Sequence, residues 1–80
     1  MTVAIEDWSG SRGAAEFTEL DGSTTVSELL AEAREALRLP RDGVYSLIRG
    51  NDKLARTATL DEAGIRDQET LQISPEVSAG

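Results

Sequence analysis

The chain predicts a two-layer α+β fold, a sheet of four to five strands covered on one face by a single helix. Three observations carry that expectation. Val3 and Ile5 alternate with Thr2, Ala4 and Glu6, the period-two pattern of a half-buried strand. Val26, Leu29, Leu30, Ala33 and Leu37 fall at offsets 0, 3, 4, 7 and 11, one apolar stripe on a helix. Leu71 and Ile73 alternate inward again on a final strand.

The first strand runs into Ser9-Gly10-Ser11-Arg12-Gly13, a loop by its glycines. A second strand follows, with Ala15, Phe17 and Glu19 facing one way and Glu16, Thr18 and Leu20 the other, so the two form a hairpin. Asp21-Gly22-Ser23 breaks the pattern. Thr25 then stands at a helix N-cap with Glu28 three residues on, the spacing of a capping box. Glu28 and Glu32 sit early and Arg34 and Arg38 late, which complements the helix dipole. Pro40 ends a helix of about four turns and biases Leu39 towards an extended conformation.

Asp42-Gly43 turns the chain into a third strand over 44–48, with Tyr45 and Leu47 inward. Gly50-Asn51-Asp52 is a further turn, and Leu54 opens a short fourth segment. Thr59 caps a short helical turn with Glu62 in the capping-box position; Gly64 supplies a left-handed exit and Ile65 returns to the core. Asp67-Gln68-Glu69 is a polar turn before the last strand. One core is expected from Val3, Ile5, Val26, Leu30, Leu37, Leu47, Leu60, Ile65, Leu71 and Ile73. Pro75 lacks a backbone donor, so the strand ladder is expected to stop near Ser74. That divides the chain into a folded domain over 1–74 and a mobile tail over 75–80.

Composition narrows the function. Eighty residues give one domain, and 39% hydrophobic content is ordinary globular material. With neither cysteine nor histidine, the common nucleophile–base pairs and zinc sites are unavailable. Catalysis is not expected, nor is a metal or cofactor. A net charge of −7 argues against nucleic acid, whose phosphates would repel this surface, and suits basic-faced protein partners. No apolar run reaches membrane-spanning length and the N-terminus has no signal pattern, so the expected setting is the cytoplasm, with the free protein a monomer.

The order strand, strand, helix, strand, short strand, turn, strand resembles that of the ubiquitin-like proteins from Val3 to Ile73. The best-matched pieces are the capped Thr25-Val26-x-x-Leu29-Leu30 helix start, Leu37-x-Leu39-Pro40, and the block from Thr59-Leu60 to Ile73. The resemblance implies the β-grasp fold, with a mixed sheet. It also implies a function: from Thr70 ten residues follow to Gly80, the length of the family's conjugatable tail. The Arg-rich, Ala-rich, Lys-poor composition suits a high-GC bacterial genome, so the chain resembles the modifiers encoded in bacteria beside activating, conjugating and deconjugating enzymes.

On that resemblance the Gly80 carboxylate is the point of attachment to targets, with Ala79 beside it. An activating enzyme threads such a terminus through a narrow channel, and glycine lets the backbone pass. The family's modifiers end in Gly-Gly, whereas the pair here is Ala79-Gly80; an ordinary frayed end is the plain alternative. The implied partners are an adenylating enzyme of the ubiquitin-activating kind, a conjugating-enzyme-like protein and a deconjugating protease. A non-covalent binding module, such as the small ubiquitin-like protein of bacterial type VII secretion, is the second reading.

Ser46, Gln72 and Ser74 occupy outward strand positions where ubiquitin carries an apolar recognition patch; here they are either a polar interaction surface or simply solvated. Receptors of ubiquitin itself are therefore not expected to bind. Lys53, the only lysine against seven arginines, lies in the 50–54 loop as a chain-linking acceptor or a plain surface charge. Trp8 either caps the sheet edge or forms an exposed anchor for a partner.

Overall fold

The computed structural model describes residues 1–76. Its elements are β1 (Val3–Asp7), β2 (Ala14–Phe17), α1 (Val26–Ala36), β3 (Tyr45–Arg49), β4 (Asp52–Lys53) and β5 (Glu69–Pro75). They form one five-stranded sheet in the order β2-β1-β5-β3-β4. β1 and β5 run parallel; every other neighbouring pair is antiparallel. A parallel pair cannot be joined by a hairpin, and the chain makes the crossover with α1, β3 and β4. With α1 packed on one face of the mixed sheet, this is the β-grasp arrangement.

The central strand explains the stability. β5 is hydrogen-bonded on both sides, with Leu71 beside Ile5 and Ile73 beside both Asp7 and Leu47. All ten expected core residues are buried, and Leu29, Ala33, Leu39, Tyr45 and Leu54 join them in the same cluster. Phe17, Leu20 and Met1 pack against its edge. Each fully buried Val, Leu or Ile contributes about 1.5–3 kcal/mol relative to exposure, before the entropy of ordering is set against it.

Both capping predictions hold in part or whole. The Thr25 hydroxyl accepts from the Glu28 amide at 3.1 Å. At the second box the bonds are reciprocal: the Thr59 hydroxyl accepts from the Glu62 amide at 3.1 Å, and the Glu62 carboxylate accepts from the Thr59 amide at 2.9 Å.

Besides a one-residue shift of β3, expected over 44–48 and found over Tyr45–Arg49, four boundaries differ from the expectation, each for a local reason. α1 spans 11 residues, close to three turns, and stops well before Pro40. The terminator is Arg38, held at φ 55°: its amide donates to Glu35 O, and the Leu39 amide donates to Arg34 O at 2.9 Å. That pair of bonds is a Schellman cap with arginine where glycine is usual. Leu39 then folds back into the core. The β2 alternation also fails beyond Phe17. Glu19 takes φ 57°, which reverses the faces, so Leu20 rather than Glu19 packs inward. The turn after β3 is shorter than expected, and Asp52 and Lys53 form β4 ahead of Leu54.

The fourth difference lies at the end of β5. The ladder passes through Pro75, which pairs with Tyr45, and the Glu76 amide donates to Val44 O at 2.7 Å. Proline is tolerated because the amides of Ser74 and Glu76 alternate towards β3 while position 75 points to the other side. There β1 has already ended, its last contact being the Trp8 amide donating to Ile73 O at 3.1 Å. Among the described residues, no helix is long and apolar enough to cross a membrane.

Candidate functional site

The sheet face opposite α1 is set by register. Ser46 stands across from Ser74, Ile48 across from Gln72 on one side and Lys53 on the other, and Glu6 beside Gln72. Because strand side chains alternate, these residues share one face, while Tyr45, Leu47, Leu71 and Ile73 share the core face. The structure thus brings Ser46, Gln72, Ser74 and Lys53 together, as the sequence suggested for the first three.

It changes their character. Ser46 is not a solvated position; it is 4% exposed. The cause is Glu76, whose carboxylate lies over it and accepts from the Ser46 hydroxyl at 2.6 Å. Gln72 stays exposed and Ser74 is half-buried. The face is also less polar than expected, since half-buried Ile48 sits at its centre. The signal was present in the sequence: in Leu47-Ile48 two apolar residues adjoin, and a strand must turn one of them outward.

Lys53 is not a free loop charge. It lies in β4, and its ammonium pairs with Glu76 Oε1. Arg56 approaches Glu76 Oε2 at 3.6 Å and also donates to Tyr45 O. Glu76 therefore gathers Lys53, Ser46 and Arg56 around one carboxylate. The Lys53 ammonium and the Ser46 hydroxyl hold that carboxyl below the usual carboxylate range, against the opposing effect of partial burial. The result is a clasp that fixes residue 76 to β3 and β4 by both main chain and side chain.

Trp8 lies beside this face rather than on it. It follows β1, its ring centroid is 6.3 Å from that of Tyr45 with the planes tilted by 41°, and it remains 44% exposed. Its ring meets that of Tyr45 on an inner strand, and much of its own apolar surface stays exposed. Val44, the other exposed large hydrophobic residue, is 53% exposed at the start of β3. Trp8 and Val44 adjoin the final residues of β5 from its two sides.

Asp7 is a structural acid that the sequence reading passed over. It is 3% exposed, and its carboxylate accepts from the Ser9 hydroxyl at 2.7 Å, the Ser11 hydroxyl at 3.2 Å and the Arg12 amide at 3.1 Å. Burial alone would favour the neutral acid. The donors from Ser9, Arg12 and Ser11 outweigh it and hold the carboxyl below its ordinary range. Its partners are all satisfied within the loop, so it orders the β1–β2 connection rather than offering chemistry. Among the described residues, no group of three or more Asp and Glu is placed to hold a metal ion.

Ala79 and Gly80, the expected point of attachment, lie outside the described residues. A scan of protein-family models found no match to this chain, and a search of curated proteins found none.

Proposed function

We propose that this chain is a ubiquitin-like protein modifier of the bacterial kind, working in the cytoplasm and joined to target proteins through the Gly80 carboxylate. The chemistry belongs to its partners. An adenylating enzyme would join the carboxylate to the α-phosphorus of ATP with loss of pyrophosphate, the acyl group would pass by way of a conjugating protein to a target amine with loss of AMP, and a protease would hydrolyse the resulting amide.

One observation carries the reading. Glu76 is bonded to Ser46 on the helix-free face of the sheet, so residue 76 is anchored on the side that bears Ile48, Gln72 and Lys53. An enzyme that grips this face has the root of the segment directly under it. The β-grasp arrangement supports the same reading.

The test has two steps. Intact mass of the native protein establishes that the mature chain ends at Gly80. Wild type, a Gly80 deletion and Gly80→Val are then incubated with ATP and the adenylating enzyme encoded nearest to this chain. Adduct formation by wild type, and its loss in both variants with unchanged circular dichroism, is the expected outcome. Adduct formation by the deletion at the wild-type rate defeats the proposal. A specific observation favours the second reading, the non-covalent module: Trp8 and Val44 present apolar surface without any need for a reactive terminus. Partner binding that survives the Gly80 deletion and fails in Trp8→Ala would select it.

A further inference from the structure

Between α1 and the start of β3 lies a groove of about 210 Å³. Leu30, Ala31 and Val44 give it apolar walls, and Arg34 and Arg56 both line it. Arg34 Nε is buried, and it has no hydrogen-bond partner among the described residues. A guanidinium N–H taken out of water and left unmet is costly, and native structures satisfy such groups. No ion pair among the described residues engages Arg34, so a partner group can meet its guanidinium from the groove.

The surroundings indicate its charge. Arg34, Arg38 and Arg41 line an adjoining hollow, Arg12 reaches across to donate to Arg38 O at 2.8 Å, and Arg56 and Lys53 meet at Glu76. Six of the chain's eight basic residues thus follow one another along one side of a molecule whose net charge is −7. Glu35 and Glu76 are the acids that these contacts place among them. The overall charge repels anions, whereas this sector attracts them locally.

We propose that the groove is a carboxylate-binding site for a partner polypeptide. The carboxylate closes on Arg34 and Arg56, and an apolar side chain next to it lies against Leu30, Ala31 and Val44. A guanidinium presents parallel N–H donors that match a carboxylate, and Arg34 and Arg56 both line the groove. The apolar walls select an anion carried on a carbon chain over inorganic phosphate, to which they offer nothing. The site does not use Gly80, so it stands apart from the conjugation reading, although it shares Arg56 with the Glu76 clasp.

The experiment is an amide NMR titration of the full chain with three short alanine peptides. One ends in leucine with a free carboxylate, one is the same peptide amidated, and one is amidated with an internal glutamate beside leucine. Shifts at Ser27, Ala31, Gly43 and Val44 are expected with the first or the third peptide, and which of them binds identifies a C-terminal or a side-chain carboxylate. Arg34→Gln should weaken that binding about tenfold or more. Ala31→Glu, which places a carboxylate at an exposed helix position on the rim, should block it with the circular dichroism spectrum unchanged. Arg38→Gln removes the same charge outside the groove and should leave affinity within about twofold of wild type. Equal binding of the amidated control, no shifts with either carboxylate peptide at millimolar concentration, or equal weakening by Arg34→Gln and Arg38→Gln would overturn the proposal.

Discussion

Ser46 and Glu76, thirty residues apart, meet at 2.6 Å on the helix-free face of the sheet. The contact accounts for two features at once. A serine on the outward side of β3 is buried, and the chain remains attached to the fold one residue beyond a proline that ends many strands. Register makes this possible: Ser46 opposes Ser74, so the side chain two positions further along β5 lies on the same face.

Removing the Glu76 charge should loosen the root of the C-terminal segment while leaving the core alone. In Glu76→Gln the Lys53 and Arg56 pairs lose their partner. The Glu76 amide, bonded to Val44 O at 2.7 Å, should then exchange with solvent faster than in wild type, with amides of Leu71 and Ile73 unchanged. Raised salt should do the same to wild type, because the pair is partly exposed. Hydrogen exchange followed by NMR checks both; unchanged protection at residue 76 would show that the main-chain bond holds without the clasp.

Leu30 tests the helix register. It is buried on the sheet-facing stripe of α1. Leu30→Ala should cost about 2–5 kcal/mol, the range for deleting a buried leucine side chain. A domain of this size has a total stability on the order of 4–12 kcal/mol, so much of it would go. Ala31→Ser, one residue away on the exposed face, should change stability by under about 0.5 kcal/mol. Urea denaturation separates them, and equal midpoints would mean that the wrong stripe has been placed against the sheet.

A second Schellman cap stands at Gly64, whose amide donates to Asp61 O at 3.1 Å while the Ile65 amide donates to Leu60 O at 3.0 Å, and the two caps give opposite predictions. Arg38 and Gly64 both stand in the left-handed region, at φ 55° and 75°. Arg38→Gly relieves the crowding of a side chain there and should stabilise by up to about 1 kcal/mol, less the extra freedom glycine has when unfolded. Gly64→Ala imposes that crowding and should destabilise by about 1–2 kcal/mol. The bond from Arg12 to Arg38 is accepted by the main-chain oxygen, so the first substitution leaves the acceptor in place. Thermal melts of both variants in one buffer make the comparison.

These residues also mark how far the sequence could be read. Periodicity located the core, because burial on one face leaves a period in the sequence whatever the local conformation; every residue expected inside from Val3 to Ile73 is inside. Gly64 was legible because glycine signals a left-handed turn, and Arg38 was not because arginine signals nothing of the kind. Leu39, one apolar residue past the stripe, was the only hint. On the candidate surface, Ser46, Gln72 and Ser74 were found from alternation alone. Ile48 was missed although it followed from the same rule, and Glu76 was missed because Pro75 suggested that pairing had ended. The clasp depends on a long-range register between β3 and β5, which no local pattern encodes.

Acid should destabilise the fold through three carboxyls whose ionised forms are held by donors. Asp7 is held by Ser9, Arg12 and Ser11 against its burial, Asp21 by the Ser23 amide at 3.0 Å and the Ser23 side chain, and Glu76 by Lys53 and Ser46. Each carboxyl is shifted downward on folding, so the unfolded chain binds protons more readily than the folded one. Their contribution is therefore fully present above the ordinary carboxylate range and is lost as pH falls from that range through the lowered values. Asp7→Asn should flatten this acid limb, since the residue no longer gains a proton on unfolding, and should lower stability at neutral pH because the amide cannot accept from all three donors. Melting temperature against pH for wild type and Asp7→Asn checks both effects. Parallel acid limbs for the two proteins would show that the loop acid titrates alike in the folded and unfolded chain, and that the ordering of the β1–β2 connection does not depend on its charge.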